Sequence, residues 1–497
     1  MLQSPLRGPR SLSSAAQARF AAAVGAEERH VALNREIAAL GSARAVLSIC
    51  ELRLHEFNAV NVVTAVHRVA RARDAQAVLG HRSLTDLQRL AADAAESSPQ
   101  GLANTAWSFA RLRVRFRPWL EKVVSSSAPR LREFTVQHLA SMSWSLVVLE
   151  YRDRPVLVAL ASATLQRNAA DDGMRHVASA TWALASLRWL EDPLQTSLAN
   201  AATVRCGEFN AQGLANVAWS FAFCRLCHAP LCDALAAEAA RRSREAKPQE
   251  LANLAWAFAA LAVLKVPLLN AISSASLPVV AEFAPQGLSN LSWAFAVLRQ
   301  NDAPLLAAVA VGARGSGELA PQHLANTAWA FATLRHVSQD LLGTLAAAAR
   351  RCFTELLPHA MASLSWAFAR VSYMDSVLFD DVASTVVDLL DAGRCGGTIL
   401  AERNVGMFLW ALSRPCLTDG SGLGSRCEAV LNAVAASGRR LHGLSLGGLV
   451  ATAQSRGLCF TEADLLAEHV ARGAMQEVGR TAAALCLAEA GAATAAP

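Results

Sequence analysis

The chain repeats one phrase. "QGLANTAWSFARL" stands at residues 100–112 and "QHLANTAWAFATL" at 322–334, and six related segments fill the 37-residue steps between and beyond them. Their tryptophans are Trp107, Trp144, Trp182, Trp219, Trp256, Trp293, Trp329 and Trp366, so successive differences are 37, 38, 37, 37, 37, 36 and 37. A fixed period of this size is the signature of a solenoid or propeller, whose units cannot bury their apolar faces alone and must stack on their neighbours. Length would otherwise suggest several domains; the repeat replaces them with one elongated array.

Positions are counted here from the tryptophan of each repeat. Pro-Gln opens four copies, at Pro99, Pro248, Pro285 and Pro321, and proline belongs in the first turn of a helix. A first helix, A, of about 12 residues follows. It carries Leu at −5, Asn or Ser at −3, Phe or Leu at +2 and mostly Leu at +5. At 100° per residue, Leu102, Phe109 and Leu112 fall on one side and Asn104 and Trp107 on the other. A helix apolar most of the way round is buried on several sides. A second helix, B, follows a proline-marked turn, as in "APLCDALAAEAARRS" from Ala229 and "RPVLVALASATLQRN" from Arg154. Two helices fill the period and leave no room for a strand. The expected fold is all-α, a right-handed solenoid of stacked helix pairs.

Degraded copies flank the clear ones, as capping repeats require. "FNAVNVVTAVHRVARA" from Phe57 aligns through Asn61 but has Thr64 in place of tryptophan. Downstream, "RNVGMFLWALSRP" keeps Trp410, and the segment from Leu441 is a final copy without tryptophan. The expected divisions are a transit peptide with a flexible segment over 1–40, the array over 41–460 with clear repeats at 99–395, and an Ala-rich tail over 461–497.

With 53% hydrophobic and 17% charged residues, the chain has ample material for such a core. Its net charge of +6 permits a polyanionic partner without requiring one. Eleven cysteines without a pairing pattern suit a reducing compartment. The longest apolar run, Leu251–Leu264, is shorter than the roughly 18 residues of a membrane span. Residues 1–26 carry Arg7, Arg10 and Arg19, several serines and no acidic residue. That is the composition of an organelle transit peptide, with mitochondrion expected before plastid.

The phrase "PQ-x-L-A-N-x-x-W-A-F-A-x-L" resembles the octotricopeptide repeat of algal organelle proteins. It is similar also to the arrays of RAP-domain and FAST-kinase-like proteins, and to the HEAT-like repeat region of an RNA-editing substrate-binding complex subunit. The resemblance covers about residues 57–457. It implies a helical-repeat protein of organelle RNA metabolism, acting in transcript processing, editing, stability or translation. No RAP-like segment is visible before the closing "TAAALCLAEAGAATAAP", so nuclease-like activity has nothing to rest on.

Several rows of residues are candidates for contact. The eight tryptophans are read as core, because apolar periodicity is first a packing signal. Position +6 is arginine in five of eight repeats, at Arg113, Arg188, Arg225, Arg299 and Arg335. A row of guanidinium groups can contact successive phosphates. Arginine near a helix C-terminus also simply complements the helix dipole, and the modest net charge favours that reading. Asn104, Asn216, Asn253, Asn290 and Asn326 at −3 suggest a ladder tying one repeat to the next. Base-facing candidates are sought where residues vary. At +4 these are Arg111, Ser186, Thr333 and Arg370 among apolar neighbours, and at −6 Gly, His and Glu alternate.

Cys224-Arg225-Leu226-Cys227-His228 matches a haem-attachment pattern, but Cys224 fills the +5 leucine slot, where a small apolar side chain fits. No metal-ligand spacing and no phosphate-loop, hydrolase, zinc-protease or kinase motif set is present. The expectation is a non-catalytic protein without cofactor or metal. It binds single-stranded RNA and protein subunits of an RNA-processing complex, and neither DNA nor membrane. The alternative is a protein-protein scaffold of the same architecture.

Overall fold

The computed structural model describes residues 14–94, 98–115, 117–166, 173–186, 194–315, 319–373 and 375–394, with Asn404, Met407, Phe408 and Ala411 beyond them. These hold 20 α-helices, and no strand is present among the described residues. Arg188, Trp410, the final copy and the Ala-rich tail lie outside them.

The chain divides into two compact units between Leu194 and Gln195. In the first, α1 (Ser14–Ala39), α3 (Ala59–Arg71), α5 (Pro99–Arg111), α7 (Val136–Val148) and α9 (Gly173–Ser186) pack each on the next. Their second helices are α2 (Ala43–Arg53), α4 (Arg82–Ala94), α6 (Arg117–Ser127) and α8 (Arg154–Gln166). The second unit opens with α10 (Leu194–Val204). Its A helices are α11 (Ala211–Phe223), α13 (Pro248–Ala260), α15 (Pro285–Val297), α17 (Pro321–Thr333) and α19 (Pro358–Arg370), again packed in sequence. The matching B helices are α12 (Ala229–Arg241), α14 (Val266–Ser276), α16 (Ala303–Gly315), α18 (Gln339–Arg351) and α20 (Ser376–Arg394).

Proline stands in the first turn of α5, α13, α15, α17 and α19, as its missing N–H predicts. At the N-terminus α1 begins at Ser14, and its Leu33 and Ile37 are fully buried. Asn61 Nδ2 donates to the His30 carbonyl at 2.9 Å. Helix α1 is therefore packed as part of the array, because the apolar residues that repeat four apart in its second half have α3 to bury them.

A residue the sequence reading passed over sits ten before each tryptophan. Phe134, Phe209, Phe283, Leu319 and Leu356 are all buried there, just ahead of the helix cap, where an apolar side chain packs back on the first turn. This bears on two of the glycines at −6. A β-carbon on Gly213 would stand 2.8 Å from Phe209 Cδ1, and one on Gly287 3.0 Å from Phe283 Cδ1. Where −10 is the small Ala246, −6 is Glu250. At Gly213 and Gly287 the phenylalanine four residues earlier thus occupies the space a side chain would need. Gly213→Ala is expected to cost about 1 to 3 kcal/mol through overpacking, measured by urea denaturation, although alanine is the better helix former; an unchanged or higher midpoint would contradict this contact.

Candidate nucleic-acid interface

Helix A is closed all round except along one stripe. From −5 to +3, every described residue outside −3 and 0 is buried, against its own B helix and the A helices on either side. The residues that reach solvent are −7, −3, 0 and +4, spaced 4, 3 and 4 apart, which places them on one helical face. In α13 the stripe is Gln249, Asn253, Trp256 and Ala260 and in α15 Gln286, Asn290, Trp293 and Val297, the two tryptophans being buried within it.

Tryptophan takes two degrees of burial on that stripe. Trp107, Trp144 and Trp182 are half-buried. In the second unit Trp219, Trp256, Trp293, Trp329 and Trp366 retain 8, 8, 5, 4 and 3% exposure. There the rings touch across repeats, with centroids 6.4 Å apart for Trp219–Trp256 and 6.5 Å for Trp256–Trp293. Trp219 also stacks on Phe223 at 4.8 Å. Trp329 Nε1 and Thr333 Oγ1, one turn apart in α17, are buried without hydrogen-bond partners. Such unsatisfied atoms cost stability.

Among the candidates at +4, Arg111, Ser186, Thr333 and Arg370 are half-buried. Ser186 Oγ donates to the Trp182 carbonyl at 2.8 Å. The Arg370 guanidinium lies 5.9 Å from the Trp366 ring centroid, within cation–π range.

The asparagines divide into two groups. Asn326 is buried and its Oδ1 accepts from Gln322 Nε2 at 2.9 Å; Gln322 Oε1 in turn meets His359 Nε2 of the next repeat at 3.0 Å. Here a link between repeats runs through the −7 row, which the sequence reading missed. Asn104, Asn216, Asn253 and Asn290 are half-buried, and their side-chain amides have no hydrogen-bond partner among the described residues.

The +6 row has a conformation of its own. Arg113, Glu150, Arg225, Ala262, Arg299, Arg335 and Ser372 all have φ between 54° and 59°, and no other described non-glycine residue has positive φ. Each closes its helix in the same way. The Arg299 N–H donates to the Ala296 carbonyl at 3.1 Å and the Gln300 N–H to the Phe295 carbonyl at 2.8 Å, the paired bonds of a Schellman cap. Glycine is the usual residue at that point, because a β-carbon is strained in the left-handed region. None of the eight repeats has glycine there. All seven described residues are exposed. Arg225, Arg299 and Arg335 belong to the second unit, with Ala262 between the first two. In the first unit Arg113 is followed by Glu150, which pairs with Arg115 at 2.7 Å.

The haem-like pattern dissolves in the structure. His228 caps α12, its Nδ1 accepting the Leu231 N–H at 3.2 Å, and Cys232 is buried, its thiol pushed up to about 11 by desolvation. Among the described residues no group of three or more metal-ligating side chains converges, and no described helix is long and apolar enough to cross a membrane.

His67 of α3 lies 5.0 Å from the Trp107 ring. Burial, reinforced by Arg71 and Arg68, pushes its pKa from 6.5 down to about 4. The unfolded chain then binds the extra proton first. Stability from this site is full above pH 6.5 and falls as pH drops from 6.5 towards 4. His67→Gln should flatten that part of the acid-denaturation profile; an unaltered profile would contradict the assignment.

The fold and its open stripe define a helical-repeat protein, built from stacked helix pairs with one solvent-open row per repeat. The particular likeness is to a family of known assembly. Residues 105–320 match the family model described as RNA-editing substrate-binding complex 6 protein, from within α5 to the residue before α17. A search of curated proteins gives no match to the chain.

Proposed function

We propose that this chain is a non-catalytic RNA-binding protein that serves as a subunit of an RNA-editing substrate-binding assembly. It would hold single-stranded RNA for editing, with protein subunits as its other partners. The observation that carries the reading is the +6 row, where exposed arginines occupy a backbone conformation that favours glycine. Glu150, Ala262 and Ser372 share that conformation, so it is the recurrence of exposed guanidinium groups, suited to phosphate, that supports the reading. Arg113, Arg225, Arg299 and Arg335 are the described members of the row, with Arg188 the fifth by register. The family likeness over 105–320 supports the editing assignment, and the acid-free stretch ahead of α1, with Arg7 and Arg10, supports a mitochondrial address.

The test is binding of the full chain to a labelled single-stranded RNA at two salt concentrations. Phosphate contacts predict affinity that falls steeply with salt, the logarithmic slope being about −0.7 per neutralised phosphate. No RNA binding by the folded chain would leave the protein scaffold as the better account.

A further inference from the structure

We infer that Asn216, Asn253 and Asn290 read three successive adenines of a single-stranded RNA laid across α11, α13 and α15; the inference rests on the RNA-binding reading above. Where asparagine in this register has a structural task, the bonds are visible. Asn61 donates to the His30 carbonyl and accepts from the Asn58 N–H at 3.2 Å, and Asn326 accepts from Gln322. The three middle amides have no such bonds among the described residues, and they are half-buried on the open stripe of three consecutive, mutually packed helices. A half-buried amide offers two donors and an acceptor. Left unmatched, it gains nothing from being there.

Equal register gives the three amides equal geometry, so whatever pattern one of them selects, all select. Adenine presents a donor at N6 beside an acceptor at N7, the edge that an asparagine amide meets with two bonds. In a single strand that edge is free.

The charges are arranged to suit. The asparagines are neutral, as are Trp219, Trp256, Trp293 and the +4 residues Phe223, Ala260 and Val297 beside them. The arginine row at +6 lies nine residues further on, about 13 Å along the helix axis at 1.5 Å per residue. A strand running across the helices would place phosphates beside Arg225 and Arg299, with the uncharged Ala262 between them, and base edges on the amide row, the usual division between positioning and specifying contacts.

The experiment compares full-chain binding to homopolymeric oligo-A, oligo-U, oligo-C and oligo-G RNA of equal length. Oligo-A is expected to bind about tenfold or more tighter than the others, the discrimination of a good bidentate pair. Asn253→Leu with Asn290→Leu should bring oligo-A down to the level at which the same variant binds oligo-U. Asn253→Asp with Asn290→Asp keeps the shape and should lose the preference too, with thermal melts confirming that both variants fold. Equal binding of all four RNAs, or preference for another base, overturns the inference and leaves the RNA-binding reading standing. Preference for oligo-A that survives in folded variants also overturns it. Failure to bind any RNA overturns both.

Discussion

Replacing Arg225, Arg299 and Arg335 together by glycine is expected to stabilise the chain and to weaken its hold on RNA. Each residue sits at φ between 54° and 59°, where a β-carbon costs about 1 to 2 kcal/mol. Glycine removes that strain but adds roughly 0.4 to 1 kcal/mol of unfolded-chain entropy. The net gain is about 0.5 to 1 kcal/mol per site, visible as a higher melting temperature. If each guanidinium neutralises one phosphate, the salt dependence of RNA binding should shallow by about 2 logarithmic units per decade. An ordinary surface arginine predicts neither change. Stability that drops on substitution would show that the side chains contribute packing, and an unaltered salt slope would place the phosphates elsewhere.

The second large effect is on the tryptophan row. Trp293→Ala is expected to cost about 3 to 5 kcal/mol, read by urea denaturation of the full chain followed by circular dichroism. The ring keeps only 5% exposure and lies 6.5 Å from Trp256, so its loss opens a cavity between neighbouring A helices. In a stacked array each interface supports the next, so the transition should also broaden. Trp293→Phe should recover much of the loss. A tryptophan acting mainly as an open platform for bases would give the opposite pattern, with little change in stability and a large loss of RNA affinity.

Much of this architecture can be read from the residues. Tryptophan spacing locates the A helices from α5 to α19, proline marks where five of them begin, and the angle between Leu102 and Trp107 separates the closed side from the open one. Other features left no such mark. The left-handed caps are hidden because their usual sign, glycine, is missing, and Arg299, Ala262 and Ser372 share a conformation without sharing a chemistry. The closure of Phe209 over Gly213 likewise has no sign in the sequence. Nor does sequence register distinguish Asn326, buried and tied to Gln322, from Asn253, which is half-buried. Both have the same place in the repeat, and only the neighbouring side chains differ.

The most direct test of the central claim is photocrosslinking of single-stranded RNA to the full chain, with the crosslinked peptides identified by mass spectrometry. RNA held on the open stripe predicts crosslinks in α11, α13 and α15 and in the segments that carry Arg225, Arg299 and Arg335. Crosslinks confined to the B helices, or none at all from folded protein, would contradict it.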